Sequence, residues 1–244
     1  MQELRCAEIW GGTESRQAAV SSAGVVASLF SSAVDGGRGG DIYFLSKCNH
    51  DLLTRVVVAD VCGHGQVVSA MSRYLYDAMI AHIDDDNEAV LLEDLNSVAL
   101  AQGIRGLTTA AVASYYKADG SFCFAYAGHP PPLLKRVTDS VWMEIQSAED
   151  TNGPPLAVTN QPNYRQNSIQ LSRGDRIAFY TDGLLDAADR QHRRYGVERF
   201  KAQLMATGAA SLEVLCDTVI ADARTYAGGE FRHDDVTLLL MEVV

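Results

Sequence analysis

Four short segments, far apart in the chain, each set an aspartate against an apolar or glycine-rich stretch: Gly39-Gly40-Asp41, Val57-Val58-Ala59-Asp60, Phe179-Tyr180-Thr181-Asp182-Gly183 and His233-Asp234-Asp235-Val236-Thr237. Each reads as a run of strand-forming residues that stops in a carboxylate, which holds the carboxylate rigidly at a sheet edge. Carboxylates gathered in one place repel one another unless positive charge lies between them. Magnesium and manganese supply such charge, because they prefer oxygen ligands, and magnesium needs only one or two carboxylates beside its waters. Two such ions about 3.5–4 Å apart acidify a shared water and clamp phosphoryl oxygens, which is the chemistry of phosphate-ester hydrolysis. Taken singly, an aspartate after a strand is ordinary turn chemistry. Spacing alone does not say whether the four meet.

The elements that must position these residues follow from periodicity. Val25 to Ser31, Ile42 to Cys48 and Leu52 to Val61 are rich in β-branched and aromatic residues. Gly36 to Gly40 and Asn49-His50-Asp51 separate them as turns, and the last two runs form an antiparallel hairpin. Apolar residues from Val67 to His82 recur at helical spacing, and a second set from Leu91 to Gln102 stops at Gly103. The acidic run Asp84-Asp85-Asp86 between them is a solvated loop. Strands are expected at Thr108 to Lys117, Ser121 to Ala127, Pro132 to Arg136, Val141 to Ile145, Arg165 to Leu171, Arg176 to Thr181 and Val236 to Val243. Asp119-Gly120 is a hairpin signal between the first two. Val197, Phe200 and Leu204 mark a third helix, and Leu212 to Ala223 a fourth with Ser211 as its N-cap. Strands joined by short turns are antiparallel neighbours. Helices segregated from them give an α+β class, with two mostly antiparallel sheets face to face and helices outside each, a four-layer α-β-β-α sandwich.

Composition excludes several classes. The chain has 244 residues, 47% of them hydrophobic, enough for one large core. No linker or repeat divides it, so residues 1–244 are read as a single domain. The formal net charge of −11 is the wrong sign for tracking a nucleic-acid backbone. No Lys/Arg block suits an anionic membrane surface, and no apolar run is long enough to span a bilayer. The five cysteines show no zinc-like spacing and read as reduced core thiols. The expectation is a cytoplasmic protein without nucleic-acid or membrane partners.

Six stretches carry a resemblance: Gly39-Gly40-Asp41, Val58 to Gly65, Ala127 to Leu133, Gly153-Pro154-Pro155-Leu156, Tyr180 to Ala187, and Asp234 to Leu238. As an ordered set they resemble the metal-dependent (PPM, or type 2C) Ser/Thr protein phosphatases, and more closely the bacterial SpoIIE/RsbU-like branch. The resemblance implies a β-sandwich flanked by helices. It implies Asp41, Asp60, Asp182 and Asp234 as carboxylate ligands of two Mn²⁺ or Mg²⁺ ions, with Asp60 and Asp182 as the catalytic pair. Val61 would add its backbone carbonyl. Asp235 is assigned a structural or supporting role. Phe44 stands where the family's first motif often has a second acid, and is expected in the core. Arg38, His64 and His129 are candidates for a phosphate contact or a supporting role, with His64 set near a helix start and His129 orienting a proline-rich turn. His233 neighbours Asp234, whereas His50, His82 and His192 read as surface or loop residues.

The implied activity is hydrolysis of phosphoserine or phosphothreonine on a phosphoprotein, such as an anti-sigma-factor antagonist, with a separate regulatory protein as a further partner. Two alternatives stand beside it: a catalytically altered regulatory or scaffold member of the fold, and a hydrolase of small phosphate esters.

Overall fold

A computed structural model describes residues 1–34, 36–48, 52–63, 66–82, 87–145, 152–207 and 210–244. The expected turn at residues 49–51, the acidic run at 84–86, and His50 and His64 lie outside the described residues.

Six strands form one sheet: β2 (Glu8–Glu14), β5 (Arg38–Cys48), β6 (Leu53–Val61), β7 (Thr108–Tyr116), β8 (Ser121–Ala127) and β11 (Asn167–Gln170), in the order β11-β8-β7-β6-β5-β2. Seven form the other: β1 (Gln2–Glu3), β3 (Arg16–Ser22), β4 (Val25–Ser32), β9 (Leu133–Lys135), β10 (Met143–Glu144), β12 (Arg176–Tyr180) and β13 (Val236–Val243), in the order β1-β3-β4-β13-β12-β9-β10. Between the named strands, β1 and β3 pair in parallel and the rest are antiparallel.

Side-chain alternation sorts each central strand into two faces. Tyr43, Leu45, Val56, Val58, Ala111 and Phe179 point into the core between the sheets. Ile42, Phe44, Val57, Ala59 and Val61 point the other way, onto α1 (Gln66–Ala81) and α2 (Glu88–Leu100). Helices α4 (Gly196–Ala206) and α5 (Leu212–Tyr226) cover the outer face of the seven-stranded sheet through Phe200, Leu204, Leu215 and Val219. The result is the four-layer α-β-β-α arrangement. Asn87 caps α2 by accepting from the Ala89 and Val90 amides, and Ser211 caps α5 by accepting from the Val214 amide. Arg55 on β6 and Glu88 in the first turn of α2 form an ion pair at 3.8 Å with both side chains buried, which fixes where α2 starts on the sheet.

Several expectations change. Gly36 to Gly40 is not a turn throughout, because Arg38, Gly39 and Gly40 already belong to β5. Asp41 is therefore inside a strand rather than at its end. Asp234 and Asp235 do not end an apolar run, since they precede β13. The strands expected at 132–136, 141–145 and 165–171 are shorter, Leu133–Lys135, Met143–Glu144 and Asn167–Gln170. A five-residue helix, α3 (Asp182–Asp186), follows β12 and is too short for periodicity to show. The cysteines are not all core residues: Cys216 is buried and Cys123 half-buried, but Cys6 and Cys62 lie exposed where the chain leaves a strand. No disulfide occurs among the described residues. No helix among them is long and apolar enough to cross a membrane.

Candidate metal centre

Asp41 on β5 and Asp60 on β6 are directly opposed in the antiparallel register. Alternation from Tyr43 and Val58 puts both carboxylates on the face toward the other sheet, and Thr109 of β7 stands opposite Asp60 in the same row. Like charges facing each other across a ladder are destabilising, so this pairing needs a compensating partner.

The seven-stranded sheet closes the site from above. Thr181, just after β12, donates its hydroxyl to Asp41 Oδ2 at 2.8 Å. The Thr237 amide donates to Thr181 Oγ1 at 2.9 Å, and Thr237 Oγ1 donates to Ser31 Oγ at 3.1 Å. A hydroxyl chain from β4 through β13 and β12 thus ends on a carboxylate of the opposite sheet. Asp182 opens α3 at the exposed lip, and Asp234 lies half-buried just before β13.

The four acids sense one another. Burial, followed by the charge of Asp60, pushes the Asp41 carboxyl well above the usual range. Burial, then the charges of Asp182, Asp234 and Asp235, raise Asp60 to about 8. Asp182 is raised by desolvation and by Asp186, and burial lifts Asp234 to about 6. Carboxylates whose pKa values are raised by burial and by one another's charge are short of positive charge.

Hard divalent cations fit this set. Asp41 Oδ1 is buried without a hydrogen-bond partner among the described residues, so one lone-pair face of a carboxylate 2% exposed is left for something else. The Val61 carbonyl oxygen lies so close to Gly40 that a Cβ there would meet it at 2.8 Å. No three His, Cys, Asp or Glu side chains converge on one point among the described residues.

Asp235 has a different task. Its Oδ1 accepts from the Val34 amide at 2.8 Å and its Oδ2 from the Gly40 amide, so it ties β13 to the entry of β5. A Cβ on Gly39 would meet Asp235 Oδ2 at 2.4 Å, and one on Gly183 would meet the Asp235 carbonyl oxygen at 1.9 Å. Those two glycines are there for close approach.

The remaining candidates separate. Phe44 is fully buried against α1 and α2, on the face opposite Asp41, so an acid at that position would point away from the centre. His129 is buried; its Nδ1 is 2.8 Å from Thr109 Oγ1, and burial lowers its pKa to about 4, so it is neutral. It braces the row that carries Asp60. Arg38 is exposed, and alternation turns its side chain to the α1 side rather than the Asp41 side. His233 and His192 are exposed, and His82 lies 3.4 Å from Asp94. Thr181, Thr237, Thr109 and Ser31 escaped the sequence reading because threonine and serine in a strand look like β-formers. Their even spacing from Phe179, Leu239, Ala111 and Leu29 was the available signal.

The family model for stage II sporulation protein E (SpoIIE) matches residues 51–244. The chain belongs to the SpoIIE family. Protein IcfG of Synechocystis sp. is 21% identical over 230 residues, which is 82% of this chain and 35% of IcfG. Phosphoserine phosphatase RsbU of Bacillus subtilis is 24% identical over 152 residues, 60% of this chain and 43% of RsbU. This SpoIIE-family chain thus spans less than half the length of either curated relative. Among solved structures, the SiaA-PP2C domain of Pseudomonas aeruginosa superposes with a TM-score of 0.76 at 20% identity, covering 88% of this chain and 85% of that one. RsbX in complex with magnesium gives a TM-score of 0.66 at 16% identity, covering 94% and 100%. These likenesses show that the sandwich is the fold of PP2C-type phosphatase domains. The family match begins after Asp41, and the β5–β6 register sets this residue directly opposite Asp60.

Proposed function

We propose that this chain is a Mn²⁺- or Mg²⁺-dependent protein phosphatase acting on phosphoserine or phosphothreonine, with two ions held by Asp41, Asp60, Asp182, Asp234 and the Val61 carbonyl. The observation that carries the proposal is the buried Asp41 with an orphaned oxygen, set in register opposite Asp60. RsbU, a phosphoserine phosphatase by name, supports the substrate class, and the magnesium complex of RsbX supports the ion class. When bound, such ions supply an acidified water as nucleophile and positive charge for the phosphoryl oxygens. The protein's own residues do the positioning. Thr181 fixes the rotamer of Asp41, Asp235 holds the Gly40 backbone, and the open lip at Asp182 gives a phosphorylated side chain access. His129, neutral and tied to Thr109, braces Asp60 rather than donating a proton. The natural substrate class is a phosphoprotein of a signalling pathway, such as an anti-sigma-factor antagonist, with control exerted by a separate protein.

Asp182→Asn tests the assignment. Charge stabilisation by a metal centre is worth several kcal/mol, so loss of one ligand lowers Mn²⁺-dependent hydrolysis of a phosphoserine protein roughly 10²–10³-fold. The exposed position leaves the fold intact by circular dichroism. Wild-type turnover by this variant overturns the site. Parallel assays with para-nitrophenyl phosphate separate a protein phosphatase from a small-ester hydrolase, and inactivity on both substrates identifies a non-catalytic scaffold.

A further inference from the structure

Thr181 stands at the N-cap position of α3 in an extended conformation, with φ −89° and ψ 159°. A threonine there ordinarily turns its hydroxyl back to accept from an amide two or three residues on. Thr181 makes no such bond. Its hydroxyl reaches instead to the opposite sheet, to Asp41 Oδ2 at 2.8 Å. Thr181 is fully buried and Asp41 is 2% exposed, so bulk water does not compete for the contact.

The direction of that bond is forced. The Thr237 amide lies 2.9 Å from Thr181 Oγ1, and an amide N–H can only donate. Thr181 Oγ1 accepts there, so its one proton is left for the carboxylate. The hydroxyl is held in place, because the Thr181 amide donates to the Thr237 carbonyl at 3.1 Å and Thr237 pairs with Ser31 in the β13–β4 ladder. The two oxygens of Asp41 are thereby made unequal. Oδ2 is committed to Thr181, whereas Oδ1 is buried with no partner among the described residues.

We propose that Thr181 is a positioning residue that makes Asp41 a one-oxygen ligand, and that this tilts the centre toward magnesium and away from calcium. The inference rests on the reading of the acid cluster as a metal centre. Magnesium takes its oxygens in a compact octahedron, and one or two carboxylates beside its waters suffice. Calcium is larger, takes about 6–8 oxygens and accepts a carboxylate through both of its oxygens. With Oδ2 bonded to Thr181, Asp41 gives a second oxygen only by breaking a charge-assisted hydrogen bond. That cost falls on the ion that uses both oxygens. For magnesium the same bond is an advantage, because it aims Oδ1 before the ion arrives. A hydrogen bond that orients a ligand in this way is commonly worth roughly 10–100-fold in metal affinity.

The test measures Mg²⁺ and Ca²⁺ binding, each ion alone, by isothermal titration calorimetry on wild type, Thr181→Val and Thr181→Ser. The readout is the ratio of the two affinities. Thr181→Val is expected to weaken Mg²⁺ roughly 10–100-fold and Ca²⁺ much less, because the freed Oδ2 gives calcium a second contact. The Mg²⁺-to-Ca²⁺ ratio therefore falls about ten-fold. Thr181→Ser keeps the hydroxyl and should return the ratio to its wild-type value. A threonine that served only the fold would lose both affinities alike. Circular dichroism and melting confirm folding. If Thr181→Val does not fold, Thr181→Cys, of similar size and with a weak S–H donor, reports the same ratio. A ratio unmoved in the folded variant, or not restored by serine, overturns the proposal. Hydrolysis of a phosphoserine protein by wild type is followed alongside. Hydrolysis with an unmoved ratio leaves the phosphatase reading in place and removes the selectivity. A ratio that depends on Thr181, without hydrolysis, keeps the selectivity and removes the phosphatase reading. A wild type that binds neither ion overturns both.

Discussion

Removing metal should make this protein less stable as the solution becomes more alkaline, the reverse of the behaviour of carboxylates whose pKa is lowered by a salt bridge or hydrogen bonds. Asp60 has a folded-state pKa of about 8 against 3.8 for the unfolded chain. Between these values the folded state binds more protons than the unfolded state, so stability falls as pH rises. His129 acts in the opposite sense, because its folded pKa of about 4 lies below its ordinary 6.5, and its contribution rises with pH up to that point. The window from pH 6.5 to 8 therefore isolates the carboxylates. One proton over 1.5 pH units corresponds to about 2 kcal/mol. For a chain of this size that is a fall in Tm of roughly 4–8 °C. Thermal melts in EDTA at the two pH values measure it. Asp60→Asn should flatten the difference, and saturating Mn²⁺ should remove it by replacing the proton as counter-charge. A wild-type Tm in EDTA that stays level or rises between pH 6.5 and 8 would refute the reasoning.

Gly40→Ala puts a Cβ 2.8 Å from the Val61 carbonyl oxygen and 2.9 Å from Val68 Cγ1, so it should lower stability by about 1–3 kcal/mol and weaken Mn²⁺ binding in a calorimetric titration. Gly37→Ala, with nothing within 4 Å, should do neither. Asp235→Ala leaves the Val34 and Gly40 amides without their acceptor and should destabilise by about 2–4 kcal/mol in urea while also impairing metal binding. Asp175→Ala, which removes the acceptor for the Ser172 and Val137 amides far from the centre, should cost similar stability and leave metal affinity unchanged. Phe44→Asp should yield misfolded protein rather than an extra ligand, because the side chain is fully buried against α1 and α2; soluble protein with raised Mn²⁺ affinity would contradict the register.

The sequence made the central strands and the longer helices readable, because Ile42 to Cys48 and Leu53 to Val61 are strong β-formers and the α5 stripe has a capped start. It misplaced the entry to β5 for a physical reason. Glycines ordinarily mark turns, but Gly39 and Gly40 lie within a strand to admit the Asp235 carboxylate and the Val61 carbonyl. No one-dimensional pattern records an approach from residues that far along the chain. The same holds for the hydroxyl chain from Ser31 to Asp41, whose members belong to both sheets. The acids themselves were visible as residues. That Asp41 faces Asp60 depends on the β5–β6 register, a property of pairing rather than of composition.

The position of β13 has a consequence for biosynthesis. This strand, with Asp234 and Asp235 immediately before it, inserts between β4 and β12. A ribosome-bound chain that has already emitted Asp41, Asp60 and Asp182 still lacks the strand that joins the halves of the seven-stranded sheet and the clamp that seats Gly40. It carries most of the carboxylates and no centre. On the proposed metal centre, the last ligand and the clamp on Gly40 arrive only when β13 takes its place between β4 and β12. A message interrupted before residue 234 yields a polypeptide that lacks both Asp234 and the strand that joins the halves of the seven-stranded sheet.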